Sequence, residues 1–186
     1  MPIYDRMREG DFLFIQFGHN DCYTGDSRYV PLGIAAGAAQ KSYAEGGVYP
    51  DTTADGKTTY TGYLKQYIAV TEKHGATAVL CTPVSRMYYT SDGKIRPHHD
   101  ATALEGTSDN EYCKAVKWVY DWAVAQGYNV KFQDNFQLTA DLFEKAYADC
   151  SKTDKQTYGK SQTYRKAAKK RTTASSKRKT TAKRRR

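Results

Sequence analysis

GDFLFIQFGHND, residues 10–21, joins an apolar run to a small polar cluster. Residues 11–17 are rich in Phe, Leu and Ile and are followed by a glycine, a pattern that predicts a short strand buried in a parallel sheet. The polar cluster Gly18-His19-Asn20-Asp21 comes next. Because ligands of open α/β sheets bind at the carboxyl ends of the strands, this cluster is a candidate functional site.

The remainder of residues 1–150 alternates between helical and strand patterns. Apolar and aromatic positions at helical spacing predict helices over 58–74, 109–126 and 138–147. Apolar runs predict two further strands over 76–82 and 128–133. The polar, glycine-rich segment 22–57 is longer than an ordinary loop and is expected to be a surface excursion that borders the site. This βαβ order predicts a single α/β domain with a parallel sheet.

Four segments together resemble the SGNH (GDSL) hydrolases, a family of esterases and lipases. The polar cluster resembles the third signature block of that family, Gly-x-Asn-Asp after a central strand. YLKQYI (63–68), GATAVLCTPVSR (75–86) and DNFQLT (134–139) are similar to the rhamnogalacturonan acetylesterase branch, which removes acetyl groups from pectin. The resemblance spans residues 3–150. It implies a three-layer, flavodoxin-like α/β fold, an acetylated polysaccharide as substrate, and serine-mediated hydrolysis without a metal or organic cofactor.

The resemblance also implies roles for individual residues. Asn20 matches the asparagine whose side-chain amide donates to the oxyanion of the tetrahedral intermediate, and Gly18 would let the backbone turn tightly. His19 matches a histidine common in the acetylesterase branch and is expected to pack locally or to line the substrate. Arg86 and His99, on the loop after the second strand, are expected to line a sugar groove. The alternatives are a satisfied turn residue for Asn20 and exposed polar loop residues for Arg86 and His99.

Three other parts of the family pattern are not found in this chain: the Gly-Asp-Ser nucleophile block, a glycine block, and an Asp-x-x-His block. Gly25-Asp26-Ser27 spells the first of these, but it follows the polar cluster and has no strand before it, so we expect it to be a turn. The chain is therefore expected to be an internal slice of an esterase domain, weakly active or inactive alone. Such a slice would leave a hydrophobic central strand at an open sheet edge, which predicts poor solubility or oligomerisation.

Charge divides the chain at residue 150. Residues 151–186 hold 15 of the 29 Lys and Arg residues but one of the 20 acidic residues, so their net charge is +14 and that of residues 1–150 is −5. The tail has no Val, Ile, Leu, Phe, Met or Trp and is expected to be disordered. Non-specific binding of nucleic acid is therefore expected through the tail only, and a translated frame shift is the alternative origin of the tail.

A second functional hypothesis comes from this division of charge. The body would be a non-catalytic carbohydrate-binding or interaction domain, and the basic tail would tether it to a polyanion. No stretch approaches the roughly 20 apolar residues of a membrane span, so no membrane partner is expected. Met1 is followed by charged residues and by no apolar signal region, although SGNH hydrolases are commonly exported, and the localisation stays open.

Cysteines and histidines give little further indication of chemistry. Four dispersed cysteines, with no CxxC among them, define no disulfide framework. Cys81 lies inside an apolar run and is expected to be a free, buried thiol. His98 and His99 are adjacent on one loop, and adjacent histidines rarely bind the same ion, so no metal site is predicted.

Overall fold

The computed structural model describes residues 3–21, 27–34, 41–90, 92–95 and 111–149. After a short 3-10 turn (Ile3–Arg6), strands and helices alternate in the order β1 (Phe12–Gln16), α1 (Tyr60–Lys73), β2 (Thr77–Cys81), α2 (Glu111–Ala125), β3 (Val130–Gln133) and α3 (Asn135–Asp149). The strands form one parallel sheet in the order β1-β2-β3. The predicted α/β fold with a flavodoxin-like parallel sheet is confirmed for these residues.

The main core lies on one face of this sheet. Leu13 and Ile15 of β1 point to the same side as Ala78 and Leu80 of β2, since alternate residues of a strand share a face. Helices α1 and α2 contact each other and cover this side. Strand β2 is buried along its whole length because it has a paired neighbour on each edge, whereas β1 and β3 are partly exposed.

The opposite face of β1 carries exposed aromatic side chains. Phe12 is 57% exposed and Phe14 is 65% exposed, and both alternate with the core residues of the same strand. Among the described residues β1 pairs only with β2, so its other edge has no partner strand there. This arrangement agrees with the predicted open, hydrophobic sheet edge.

Helix α3 begins three residues earlier than predicted, at Asn135 instead of Leu138. Asp134 is the reason, since its Oδ1 accepts a hydrogen bond of 3.0 Å from the backbone N of Gln137 and so caps the helix. Thr82 strengthens the cap: its hydroxyl donates to Asp134 Oδ1 at 2.9 Å and accepts from the backbone N of Phe136 at 2.9 Å. An Asp followed by Gln three residues later is the sequence signal for this cap.

The described parts of segment 22–57 contain no helix or strand, as predicted for a surface excursion. Residues 47–50 nevertheless pack onto the helices. The indole N–H of Trp118 donates to the Gly47 carbonyl at 2.9 Å, and buried Tyr49 donates to Glu111 Oε2 at 3.3 Å. The excursion is therefore fixed to the N-terminal half of α2.

Two of the four cysteines lie in the described residues. Cys81 and Cys113 are both buried, and Cys81 has a free thiol, which confirms the prediction for Cys81. Burial raises the pKa of the Cys81 thiol, so this side chain behaves as a small apolar residue. In the part of the chain that the structure describes, no helix is long and apolar enough to cross a membrane.

Several predictions fall on residues that the structure does not describe. These are the roles of His98 and His99, the states of Cys22 and Cys150, and the tail over 151–186. They stay predictions, as does the tether hypothesis that depends on the tail.

Candidate active site

Parallel strands place the chain segments that follow β1 and β2 at the same edge of the sheet. Gln16, the last residue of β1, donates from Nε2 to the carbonyl of Thr82 at 3.3 Å, just beyond the end of β2. Residues 18–21, which we call the GHND turn, therefore lie beside the loop that begins at Thr82. The predicted position of this cluster at the carboxyl end of a strand agrees with this geometry.

Hydrogen bonds from distant residues hold the GHND turn at both ends. Before the turn, the Tyr60 hydroxyl donates to the Phe17 carbonyl at 3.0 Å. After it, the Asp21 carbonyl accepts from the Val30 backbone N and from the Tyr112 hydroxyl, each at 3.0 Å. Helices α1 and α2 thus both contribute a tyrosine to the turn. Burial raises the pKa of Tyr60 well above its ordinary value, so its hydroxyl keeps the proton that it donates.

Inside the turn, the Asp21 carboxylate accepts a hydrogen bond of 2.9 Å from the backbone N of Gly18. This contact closes the turn on itself and gives Asp21 a structural role. Gly18 has φ +99°, a conformation that L side chains rarely adopt. A Cβ built there would lie 3.0 Å from the Tyr60 hydroxyl oxygen and 3.4 Å from Pro83 Cγ. Gly18 is therefore needed both for its conformation and for its small size.

Replacing Gly18 with alanine is expected to lower the free energy of unfolding by about 2–3 kcal/mol, because backbone strain and the contact with Tyr60 act together. Gly10→Ala is the matched control: its φ is +83°, and nothing lies within 4 Å of a Cβ there. We expect that control to lose only about 1 kcal/mol, the contribution of strain. Urea denaturation measures both values, and equal losses would show that the space around Gly18 does not matter.

Arg86 bonds to the GHND turn from the loop after β2. One guanidinium nitrogen, Nη2, donates to the His19 carbonyl at 3.0 Å and to Asn20 Oδ1 at 3.2 Å. Sequence reasoning expected Arg86 to line a sugar groove, and that role stays a prediction. Its contact with Asn20 was not foreseen, because the two residues are 66 positions apart and neither lies in a recognisable pair motif.

His19 lies half-buried between charged neighbours. Burial lowers its pKa below the ordinary value of 6.5, and the positive charge of Arg86 lowers it further. A backbone hydrogen bond at Val84 and the charge of Asp21 act in the opposite direction but are weaker. The imidazole is therefore neutral at pH 7. A neutral ring beside a guanidinium is suited to packing or to hydrogen bonding, and the role of His19 in lining the substrate stays a prediction.

The depressed pKa of His19 predicts a pH dependence of stability. Below pH 6.5 the unfolded chain binds a proton at this position before the folded chain does, so stability falls as the pH drops through that value toward the folded pKa. We expect the free energy of unfolding of His19→Gln to decline less than that of the parent between about pH 7 and pH 5. His74→Gln controls for the loss of any histidine. Parallel pH curves for the parent and His19→Gln would contradict the prediction.

Ser85 lies in the loop after β2 and is held by a hydrogen bond to α3. Ser85 is 4% exposed, and its hydroxyl lies 3.0 Å from the Thr139 hydroxyl, which also accepts from the Ser85 backbone N at 2.9 Å. Ser27 is exposed and lies in a turn, as predicted, although Gly25 and Asp26 are outside the described residues. Ser85 is thus a packing residue that links the loop after β2 to α3.

An open cavity of about 130 Å³ lies beside the GHND turn. Its walls are mainly aromatic and aliphatic, and they are formed by Phe17, Asp21, Val30, Tyr60, Tyr63, Leu64 and Tyr67. Phe17 and Tyr67 stack with ring centroids 5.5 Å apart. In the sequence analysis these tyrosines belong only to the helical spacing that predicts a helix over 58–74. Helical spacing predicts the helix, but it does not predict that the tyrosines lie against the turn.

Metal ligands are not clustered in the described part of the chain. No group of three or more His, Cys, Asp or Glu side chains there has the geometry to hold a metal ion. The Asp21 carboxylate accepts a hydrogen bond from the Gly18 N–H, and the Asp134 carboxylate caps α3.

Comparison with curated proteins finds a similar protein. The chain is 30% identical over 146 residues to the probable rhamnogalacturonan acetylesterase YesY of Bacillus subtilis strain 168. The match covers 78% of this chain and 46% of the relative, so the chain spans about half of the relative's length. No family model matches the chain.

Proposed function

We propose that the chain provides the oxyanion-binding turn of an SGNH-type esterase that removes acetyl groups from a pectin-type polysaccharide. The observation that carries the proposal is the anchored GHND turn at the carboxyl end of β1, in a segment similar to an acetylesterase. Ester hydrolysis needs fixed donors at the place where the carbonyl oxygen becomes negatively charged. A turn held from both sides supplies such a donor without reorganisation during the reaction.

In this mechanism a serine hydroxyl attacks the acetyl carbonyl, and the amide N–H of Asn20 donates to the developing oxyanion. Gly18 lets the strand end turn so that the Asn20 side chain reaches the open edge. His19, Arg86 and His99 are proposed to line the polysaccharide. We propose no residue of this chain as the serine nucleophile or as its base. The isolated chain is therefore expected to be weakly active or inactive.

A chimaera with the Bacillus relative tests this proposal. The 146-residue matched segment of the relative is replaced by that of the present chain, and release of acetate from acetylated rhamnogalacturonan is measured. We expect the folded chimaera to release acetate. Asn20→Ala in the chimaera should lower kcat about 10²–10³-fold, the typical effect of losing one oxyanion donor.

Asn129→Ala is the matched control, because Asn129 precedes β3 and lies at the amino ends of the strands, away from the GHND turn. This variant should leave kcat within about twofold of the parent. A folded chimaera that releases no acetate would contradict the proposal. Full activity of Asn20→Ala would contradict the role of Asn20 and leave the esterase assignment to other residues.

A further inference from the structure

We infer that Arg86 is a positioning residue: it holds the side-chain amide of Asn20 so that the N–H donors face away from the protein, toward the reacting oxygen. The inference rests on the proposed function and adds a determinant to its site. It comes from the pair of hydrogen bonds that join Arg86 Nη2 to His19 O and Asn20 Oδ1.

The chemistry of the guanidinium decides the orientation of the amide. An asparagine amide has two ends of similar size, and its oxygen and nitrogen are distinguished by their partners. Arginine has only donors, so the amide atom that lies 3.2 Å from Arg86 Nη2 must be the oxygen. The nitrogen then occupies the other branch of the amide. Among the residues that the structure describes, Asn20 Nδ2 donates to no acceptor, so both N–H groups are available to a ligand.

The same nitrogen of Arg86 also bonds to the backbone of the turn. Its contact with the His19 carbonyl is 3.0 Å long, so the guanidinium is fixed relative to the peptide that precedes Asn20. By donating to acceptors on two neighbouring residues, Arg86 Nη2 fixes both the path of the turn and the rotation of the Asn20 side chain. A lysine ammonium could reach one of these acceptors, but it lacks the planar geometry that orders the two contacts.

Arg86 has a further effect on the strength of the donor. A cationic donor at the amide oxygen draws electron density from the amide, which makes its N–H groups better hydrogen-bond donors. The Arg86 Nε atom is buried and has no hydrogen-bond partner among the described residues. A buried donor without a partner is unfavourable for stability, so its contacts with the turn, and not stability alone, account for an arginine here.

NMR spectroscopy of the ¹⁵N-labelled 186-residue chain tests the inference without relying on esterase activity. The side-chain amide signals of Asn20 are assigned by their loss in Asn20→Asp. In the parent we expect two well-separated proton signals with the relaxation of a rigid group. In Arg86→Met the two signals should move toward the positions of a mobile amide and their heteronuclear NOE should fall, while backbone signals of the sheet stay in place. Arg86→Lys should restore the signals in part.

Arg8→Met is the control, because Arg8 is exposed and lies before β1, away from the turn. It should leave the Asn20 signals unchanged. Unchanged Asn20 signals in a folded Arg86→Met variant would overturn the inference. If Arg86→Met does not fold, the parent and Arg86→Lys test the inference. A mobile Asn20 amide in the parent, or Asn20 signals in Arg86→Lys that are identical to those of the parent, would overturn the inference. A failed chimaera assay together with a rigid, Arg86-dependent Asn20 amide would refute the proposed esterase role alone.

Discussion

Replacing Leu80 with alanine is expected to lower the free energy of unfolding by about 2–5 kcal/mol. Leu80 is 0% exposed in β2, the central strand, where it pairs in register with Ile15 of β1 and Phe132 of β3. The truncation leaves a cavity where all three strands and the covering helices meet. Domains of this size are stable by about 5–15 kcal/mol, so one such change removes a large fraction of the total.

Leu142→Ala is the matched control for Leu80→Ala. Leu142 is on α3 and is 61% exposed, so its truncation should change stability by no more than about 0.5 kcal/mol. Urea denaturation of the parent and both variants gives the comparison. Similar losses for the two leucines would mean that Leu80 is not in the core of the folded protein.

Phe14→Lys is expected to weaken self-association of the chain about 30-fold. Phe14 is 65% exposed on a strand that has one unpaired edge among the described residues, an arrangement that promotes contact between sheets of different molecules. Burying a phenylalanine in such a contact contributes about 2 kcal/mol, which corresponds to that change in the dissociation constant. The introduced charge adds repulsion between copies.

Sedimentation velocity over a range of concentrations measures the association. Tyr63→Lys serves as the control, because Tyr63 is also an exposed aromatic residue but lies on α1 instead of the sheet edge. We expect it to associate like the parent. A monomeric parent, or equal effects of the two lysines, would contradict a specific role for the face of β1.

The fold was largely predictable because its signals are local. The apolar run of β1 and the helical spacing of α1 each lie within one stretch of chain, and their observed bounds differ from the predicted ones by one or two residues. The start of α3 was wrong because the weight was given to apolar spacing instead of the Asp134 cap. That cap has a local pattern, and so it was a signal that sequence reasoning could have used.

The site was less predictable because its contacts join distant parts of the chain. The role of Gly18 in a tight turn was predictable from the resemblance. The hydrogen bond from the Tyr60 hydroxyl to the Phe17 carbonyl could not be predicted, since packing alone explains a tyrosine at helical spacing equally well. The Arg86 contact with Asn20 depends on the register between β1 and β2, which no local pattern determines.

The wide separation of the partners that hold the GHND turn also bears on the order in which the molecule assembles. Val30, Arg86 and Tyr112 donate hydrogen bonds to the turn, and Tyr60 donates to Phe17 directly before it. Strand β1 pairs with a strand that follows α1. Parallel pairing between such distant segments must first overcome the entropy of closing a long loop. We therefore expect the helices to form and dock before the turn acquires its final shape. The shape of the GHND turn is expected to be among the last features to appear during folding, and a partly folded chain would then display the apolar strand before the turn that follows it has formed.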